Sequence, residues 1–297
     1  MEEWKGYRRL LKSDRWDEWQ RLDTDQRKGL PVPPQGKPYP EDAVLVDLVP
    51  PNELSVGRMP LIEAIGRRRS RRQYTQEGLS LEELSFLLWA TQGADPRATE
   101  EMRAWLTSLR ALDAAKATAV LRTVPSAGAR NPFETYLLIN RVGELGRGLY
   151  RYLPLEHRLL FLHPEAELAG RVRDTFSEWV LRCAVLLVWT VIPYRTEWRY
   201  TMVSHKLIAQ ESGHICQNLY LASEAVGAGT CAIGAYDQVK VDRLLGVDGE
   251  EEFAIYVAPV GKVDLRKRFR GAHRPLSPEG QGASRRHSPR GRDHRLP

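Results

Sequence analysis

The chain has 297 residues, 42% of them hydrophobic, and a formal net charge of +6. This length and composition supply one sizeable core, or two smaller ones, without help from disulfides or structural metals. No stretch approaches the roughly 18 uninterrupted apolar residues of a membrane helix, and the charged first residues lack the hydrophobic region of a signal peptide. We therefore expect a cytoplasmic protein with no membrane partner.

Neither the cysteines nor the basic residues predict a metal or nucleic-acid site. Cys183, Cys216 and Cys231 are odd in number and lie far apart in apolar sequence, so we expect buried thiols and no metal ligands. Arg and Lys are dense in residues 263–297, together with Pro, Gly, Ser and His. This composition is typical of a disordered, solvated tail, and a nucleic-acid-binding arm is the less favoured alternative.

Residues 1–57 form a segment distinct from the rest of the chain. Trp4, Trp16 and Trp19 lie in an amphipathic stretch, which a proline-rich run follows as far as Pro51. Proline at this density excludes a regular helix, so the pattern predicts a short helix and then an extended arm. The aromatic residues indicate that this segment packs against something.

The main domain is predicted over residues 58–262. Pro60 suits the first turn of a helix whose apolar residues are Leu61, Ile62 and Ile65. A second helix should begin at a capping box formed by Ser80 and Glu83, and it should end at Gly93. The polar residues that follow, 94–120, predict a helical insert.

The rest of the domain mixes strands with helices. Strands are predicted at 134–140, 148–152, 158–162, 184–192, 230–233 and 253–260, and helices at 202–226 and 239–245. The stretches 148–152 and 158–162 should form a hairpin. Because strands and helices do not alternate steadily, the pattern favours an α+β fold over a doubly wound sheet.

Three loops carry groups that suit an anionic, planar ligand. The run RRSRR at 68–72 offers guanidinium groups and a hydroxyl that suit a phosphate, although a solvated basic turn would explain it alone. Pro125, Ser126 and Gly128 predict a tight turn that could approach a flat ring, or an ordinary turn. The small residues around Gly234 could expose amide donors, or form only a helix cap and a bend.

In this order, the basic cluster, the PSAG turn, the long helix and the IGAYD loop resemble those of the nitroreductase family. The stretches RTVPSAGARNPFETYLL and ESGHICQNLYLASEAVGAGTCAIGAYD are particularly similar to its SagB/ThcOx-type dehydrogenase branch. The resemblance covers residues 58–262. It implies an α+β fold with a central mixed or antiparallel sheet flanked by helices, and an intertwined homodimer that binds FMN between its subunits.

The resemblance also implies which residues bind the cofactor. In one subunit the FMN phosphate and pyrimidine edge would contact Arg68, Arg69, Ser70 and Arg72. The opposite subunit would contribute Pro125, Ser126, Ala127 and Gly128. Backbone amides near the flavin N5 would come from the run Ile233, Gly234 and Ala235. NAD(P)H would act as a transient electron donor.

Arg199 and Tyr200 stand where the azoline-oxidising members of that branch carry a Lys-Tyr pair. Arginine effectively cannot lose its proton, so Arg199 is a poor general base and better suited to bind an anion or orient a substrate. Tyr200 could still donate or accept a proton. The plainer interpretation is a surface pair at the start of a helix.

The expected function is therefore an FMN-dependent oxidoreductase that passes electrons from NAD(P)H or an organic substrate to a second small molecule. One alternative is a dehydrogenase that converts azolines to azoles in a peptide, with a partner cyclase. Another is a non-catalytic scaffold, or a nucleic-acid-associated protein that uses the basic tail.

Overall fold

The computed structural model describes residues 3–264, and the predicted basic tail beyond Asp264 lies outside the described residues. A seven-stranded sheet forms the centre of this part of the chain. The strands are β1 (Leu45–Asp47), β2 (Phe133–Ile139), β3 (Gly148–Leu153), β4 (Arg158–Pro164), β5 (Val185–Val191), β6 (Ala228–Thr230) and β7 (Phe253–Lys262). Their order across the sheet is β1-β4-β3-β2-β5-β7-β6, and each ladder is antiparallel.

Ten α-helices accompany the sheet in the described residues. They are α1 (Trp16–Arg21), α2 (Leu61–Arg67), α3 (Leu81–Gln92), α4 (Pro96–Ser108), α5 (Ala114–Ala117), α6 (Glu165–Thr175), α7 (Glu178–Leu181), α8 (Tyr194–Tyr200), α9 (Ser204–Ala225) and α10 (Gln238–Leu245). Short 3-10 helices occupy Glu3–Leu11, Ala127–Ala129 and Thr201–Val203. The α+β prediction is confirmed, and none of the described helices is long and apolar enough to cross a membrane.

The two central strands explain why the domain has three layers. Every residue of β2 and β5 is buried, which requires cover on both faces of the sheet. Leu137 and Leu187 point into a core shared with α3 and α9, whereas Leu138 and Leu186 point into a core shared with α6 and α10. Alternating side chains of one strand therefore serve both cores.

Local signals place most elements correctly. The Ser80 side chain accepts from the Glu83 amide, the Glu83 side chain accepts from the Ser80 amide, and Gly93 caps the end of α3, as predicted. One detail differs: the strand predicted at 230–233 lies at 228–230, and Ile233 makes only an isolated bridge to Val257. Of the two sheet types expected, mixed or antiparallel, the ladders are antiparallel, and in the described residues parallel contacts occur only as isolated bridges.

The proline-rich arm contains a strand that its sequence does not predict. Residues Leu45–Asp47 pair with β4 and extend the sheet at its edge. Before this strand, the Gln35 side chain exchanges hydrogen bonds with Asn131 and the Ala129 carbonyl, at 2.9 and 3.1 Å. Lys37 forms a 2.5 Å ion pair with the buried Glu252. These contacts fasten the arm to the domain.

Helix α2 forms as predicted, and its apolar face is exposed. Leu61, Ile62 and Ile65 are 65%, 83% and 57% exposed, and Ala64 is the buried residue of this helix. A contiguous apolar face of this kind on a single chain marks an interaction surface.

Candidate functional site

The predicted basic cluster forms a loop at residues 68–72, called the arginine loop here, between α2 and the edge of the sheet. The Arg71 amide donates to the Thr230 carbonyl at 2.8 Å, and Ser70 forms a parallel bridge with the same residue. Strand β6 therefore holds the loop at the sheet edge.

Arg71, the arginine outside the predicted binding set, has a structural role. Its Nε and Nη2 donate to Glu224 Oε1 at 3.1 and 3.0 Å, and only 2% of the Glu224 side chain is exposed. A Cβ on Gly229 would lie 2.7 Å from Arg71 Cδ, so the ion pair needs glycine at that position. Arg68, Arg69 and Arg72 take no part in this ion pair and lie at the surface of the loop.

A tyrosine hydroxyl joins the arginine loop to residues 231–236, called the glycine loop here. Tyr220 Oη lies 3.0 Å from Ser70 Oγ and accepts from the Ala232 amide at 2.9 Å. The Arg68 guanidinium lies over the Tyr220 ring, 5.5 Å from its centroid. Burial raises the pKa of the Cys231 thiol. The positive charge of Arg72 and hydrogen bonds with Arg72 and Ser70 partly offset this rise. The structure therefore brings these two predicted segments together.

The glycine loop presents free amide donors. No acceptor in the described part of the chain takes the amides of Gly234 and Ala235, and both residues are exposed. A Cβ on Gly234 would meet nothing within 4 Å, so the space beside it is open. The Ile233 amide is different, because it donates to the Val257 carbonyl at 2.8 Å. Two of the three predicted residues in this run thus have amides available for a ligand.

The PSAG turn is held by a carboxylate that the sequence reasoning missed. Glu211 of α9 accepts from Ser126 Oγ at 2.8 Å and from the Ala127 amide at 2.6 Å. Burial raises the pKa of Glu211, against the opposing effect of these two donors. The sequence contains a signal for this residue, because Glu211 interrupts the apolar stripe of the long helix between Ile208 and Ile215.

Arg199 and Tyr200 lie directly against this turn. Gly128 has a φ of +58°, and a Cβ there would come within 3.0 Å of Tyr200 Oη and 3.2 Å of Arg199 Nη1. The backbone turns sharply after the pair, where Thr201 has a φ of 44° and a ψ of −125°. Such strain in a non-glycine residue clusters at functional sites. The predicted catalytic pair and the PSAG turn are thus neighbours in one chain.

N-terminal aromatic residues cover the pair from the other side. The Trp19 ring stacks on Tyr200 with centroids 5.9 Å apart, and its Nε1 donates to the Arg199 carbonyl at 3.0 Å. Trp16 meets Tyr200 edge-on at 6.2 Å. The expectation that the N-terminal aromatics pack against something is confirmed for Trp16 and Trp19, which contact the end of α8, whereas Trp4 is 55% exposed.

The two groups of predicted residues do not meet within one chain. Glu211, which holds the PSAG turn, and Tyr220, which holds the arginine and glycine loops, are nine positions apart on α9. That spacing corresponds to a rise of about 13.5 Å and to roughly two and a half turns, so the two side chains leave opposite faces of the helix. We call these two groups of predicted residues the candidate half-sites of the chain.

The cysteines have the buried, unpaired state that was expected. All three are free thiols, and burial raises the pKa of Cys183 and of Cys216 to about 12. Within residues 3–264, no group of three or more His, Cys, Asp or Glu side chains could hold a metal ion.

Several known proteins are similar to this chain. A model described as the nitroreductase family matches residues 65–262. A protein of Methanocaldococcus jannaschii whose name places it among the nitroreductases is 26% identical over 208 residues, 70% of this chain and 93% of that protein.

Two solved structures share the fold. One, from Ralstonia eutropha and also named among the nitroreductases, has a TM-score of 0.56 and 23% identity, covering 79% of this chain and 99% of that one. The other is the E. coli microcin synthetase McbBCD complex with truncated pro-MccB17 bound, with a TM-score of 0.52 and 20% identity, covering 74% and 78%.

Proposed function

The chain belongs to the nitroreductase family, whose model matches 198 residues, 65–262, and from that premise we propose an FMN-dependent oxidoreductase with two flavin sites in a homodimer. Its electron donor would be NAD(P)H or a reduced organic substrate, and its acceptor a second small molecule. The observation that carries the proposal is the free pair of amides at Gly234 and Ala235 beside a cationic loop, both positioned by the Tyr220 hydroxyl.

The residues of the arginine and glycine loops fit FMN by their chemistry. Arg68, Arg69 and Arg72 provide guanidinium donors for a phosphate and for the oxygen-rich edge of a pyrimidine ring. The open space at Gly234 admits a flat ring without a steric clash, and the unpaired amides can donate to its nitrogen atoms. Ser70 is already oriented by Tyr220.

A second copy of the chain would complete each site. The half-site at the PSAG turn lies on the opposite face of α9 from the arginine loop, so one subunit cannot supply both to a single flavin. The exposed apolar face of α2 gives a surface on which two chains could associate. A cavity of about 380 Å³ beside it, lined by Phe86, Trp89 and Leu221 among others, extends that apolar surface.

FMN, when bound, supplies the hydride-transfer chemistry that protein side chains lack. The chain's own residues would orient the flavin, stabilise negative charge and transfer protons. Donors from the arginine loop would stabilise negative charge at the pyrimidine edge of the bound group. Tyr200 Oη, beside the PSAG turn, can give a proton to a substrate being reduced or take one from a substrate being oxidised. Arg199 would hold an anionic group of the substrate.

Within the family we propose a position in the SagB/ThcOx-type branch, on the similarity of the two stretches quoted above. Oxidation of a peptide azoline needs a proton acceptor, and Arg199 in place of the lysine of the azoline-oxidising members leaves Tyr200 as the one candidate of the pair. Because this pair has lost its lysine, we favour a small organic substrate over a peptide heterocycle, and a cytoplasmic reaction.

The visible absorption spectrum of the purified full-length protein tests the proposal, before and after anaerobic NADH or NADPH, with the released chromophore identified by mass. We expect flavin bands that bleach on reduction, and weaker FMN retention in Arg72→Gln. Arg97→Gln is the matched control, because Arg97 is 90% exposed and, within residues 3–264, pairs with Glu101 of α4 alone. A colourless protein that FMN cannot reconstitute would contradict the proposal.

A further inference from the structure

A separate cavity lies between the N-terminal 3-10 helix (Glu3–Leu11) and the first turns of α9. Its volume is about 500 Å³, within the range of small-molecule sites, roughly 300–1,000 Å³. Trp16 forms part of its wall, together with the apolar side chains of Leu10, Met202 and Leu207. The N-terminal segment and the family domain together form the walls of this cavity.

The charged groups of this cavity, called the cationic cavity here, have one sign. The lining includes Arg9, Lys12, Arg15, His205 and Lys206, and among the described lining residues there is no Asp or Glu. Positive charge gathered in a concave, partly apolar surface attracts anions more strongly than the same charge spread over a convex one.

Within the described residues, two of these five side chains have a carboxylate partner, Arg15 with Glu18 and His205 with Glu197, and the other three do not. Lys206 Nζ donates to the uncharged Ser13 hydroxyl at 2.7 Å, and Arg15 pairs with Glu18 at 2.9 Å where both side chains are half exposed. In residues 3–264 no carboxylate pairs with the side chains of Arg9 and Lys12. The cavity therefore has cationic donors available for a ligand.

One wall of the cationic cavity is shared with the candidate catalytic pair. Trp16 lines the cavity, and the same ring contacts Tyr200 edge-on at 6.2 Å. Tyr200 in turn lies against Gly128 of the PSAG turn. Two aromatic rings, those of Trp16 and Tyr200, thus connect the cavity to the half-site at the PSAG turn, on the side that the N-terminal segment covers.

We propose that the cationic cavity binds the phosphate groups of a nicotinamide dinucleotide while its nicotinamide lies at the flavin site. This inference rests on the proposed function, and it assigns the N-terminal segment, outside the family domain, to recognition of the electron donor. Lys and Arg side chains form charge-assisted hydrogen bonds with phosphate oxygens, which suits the unpaired donors of Arg9 and Lys12. An uncharged electron acceptor has no phosphate group that could bind to these donors.

Calorimetric titration of the full-length protein tests the phosphate site, with adenosine 2′,5′-bisphosphate as the probe and adenosine as its uncharged counterpart. We expect the bisphosphate to bind at least about tenfold more tightly than adenosine. Each of Arg9→Gln and Lys12→Gln should weaken its binding roughly three- to fivefold, and the KM for NADPH should rise in parallel. The KM for the electron acceptor should stay the same.

The matched control is Arg8→Gln. Arg8 belongs to the same 3-10 helix and carries the same charge, but its guanidinium lies over the Trp4 ring, 4.8 Å from the centroid, and it does not line the cavity. Its substitution should leave bisphosphate binding within about twofold of the unsubstituted protein. Equal losses in Arg8→Gln and Arg9→Gln would show an unspecific charge effect and overturn the proposal.

Two further outcomes separate this proposal from the proposed function. A flavin-loaded protein that NADPH reduces with the same KM in every variant would overturn the cavity proposal alone. Bisphosphate binding needs no flavin, so a colourless protein with the expected losses in Arg9→Gln and Lys12→Gln would overturn the proposed function and leave the phosphate site standing. If inorganic pyrophosphate bound as tightly as the bisphosphate and the variants did not change the KM for NADPH, the dinucleotide would be excluded as the ligand.

Discussion

Replacing Glu211 should loosen the PSAG turn by an amount that the structure allows us to estimate. In Glu211→Ala, the Ala127 amide and the Ser126 hydroxyl lose their acceptor. An unsatisfied buried donor costs roughly 1–3 kcal/mol, and both donors here are only partly buried, so water can reach them. We take about 1 kcal/mol for each, and expect a total loss of about 2 kcal/mol in the free energy of unfolding.

Glu211→Gln should be much milder. The glutamine keeps a carbonyl oxygen for the Ala127 amide, and its NH₂ group can donate to Ser126 Oγ, which already accepts from the Asn131 amide at 2.9 Å. The Ser126 hydroxyl hydrogen must then find another acceptor. A loss of up to about 1 kcal/mol is expected.

Urea unfolding of the two variants measures these differences, since the midpoint multiplied by the slope gives the free energy. The control is Glu101→Ala, which removes an exposed helical ion pair with Arg97 and should cost less than about 0.5 kcal/mol. FMN affinity should fall in Glu211→Ala if the turn contributes to the cofactor site of the partner subunit. Stability and FMN affinity both unchanged in Glu211→Ala would refute the reasoning.

Three further predictions follow from burial and packing. Burial raises the pKa of Glu211 above 4.5, so its stabilising contribution is complete below that pH and is lost as the pH rises through the raised value. The stability of the unsubstituted protein relative to Glu211→Gln should therefore fall as the pH rises above 4.5, and the opposite trend in urea midpoints would contradict it. Gly229→Ala should cost about 1–3 kcal/mol, because its Cβ would displace the Arg71 side chain from its ion pair. Gly170→Ala, where a Cβ meets nothing within 4 Å, should instead stabilise α6 by roughly 0.5–1 kcal/mol in the same unfolding assay. Ile62→Arg should leave the free energy of unfolding of the chain itself within about 0.5 kcal/mol, because Ile62 is 83% exposed, yet halve the mass measured by light scattering. A dimer that persists would exclude the α2 face as the interface.

Short-range features of this protein could be predicted from its sequence. The capping box of Ser80 and Glu83 and the helix stop at Gly93 depend on residues within a few positions of one another, and the structure has them as predicted. The length of α9 follows from its apolar repeat, and the burial of β5 from its unbroken apolar run. The order of the three loop motifs was enough to suggest the family that the family model then matched.

Contacts between distant segments could not be predicted in this way. The Arg71–Glu224 pair joins residues 153 positions apart, and the Ser126–Glu211 bond joins residues 85 apart. The strand at Leu45–Asp47 has too few residues to form alone, and it exists because the edge of β4 offers unpaired backbone groups. The exposure of the apolar face of α2 could not be predicted either, because a helix buried in the core would have the same sequence pattern.

The sequence by itself thus predicted α2, α3, α9 and α10, most strands and the identity of the chemical groups, but not α6, α7 and α8. Only the tertiary structure decided which arginine is neutralised, which amides are free, and that the two half-sites lie on opposite faces of α9. The physical reason is that a local pattern depends on the backbone conformation of neighbouring residues, whereas pairing and exposure depend on which segments the folded core brings together.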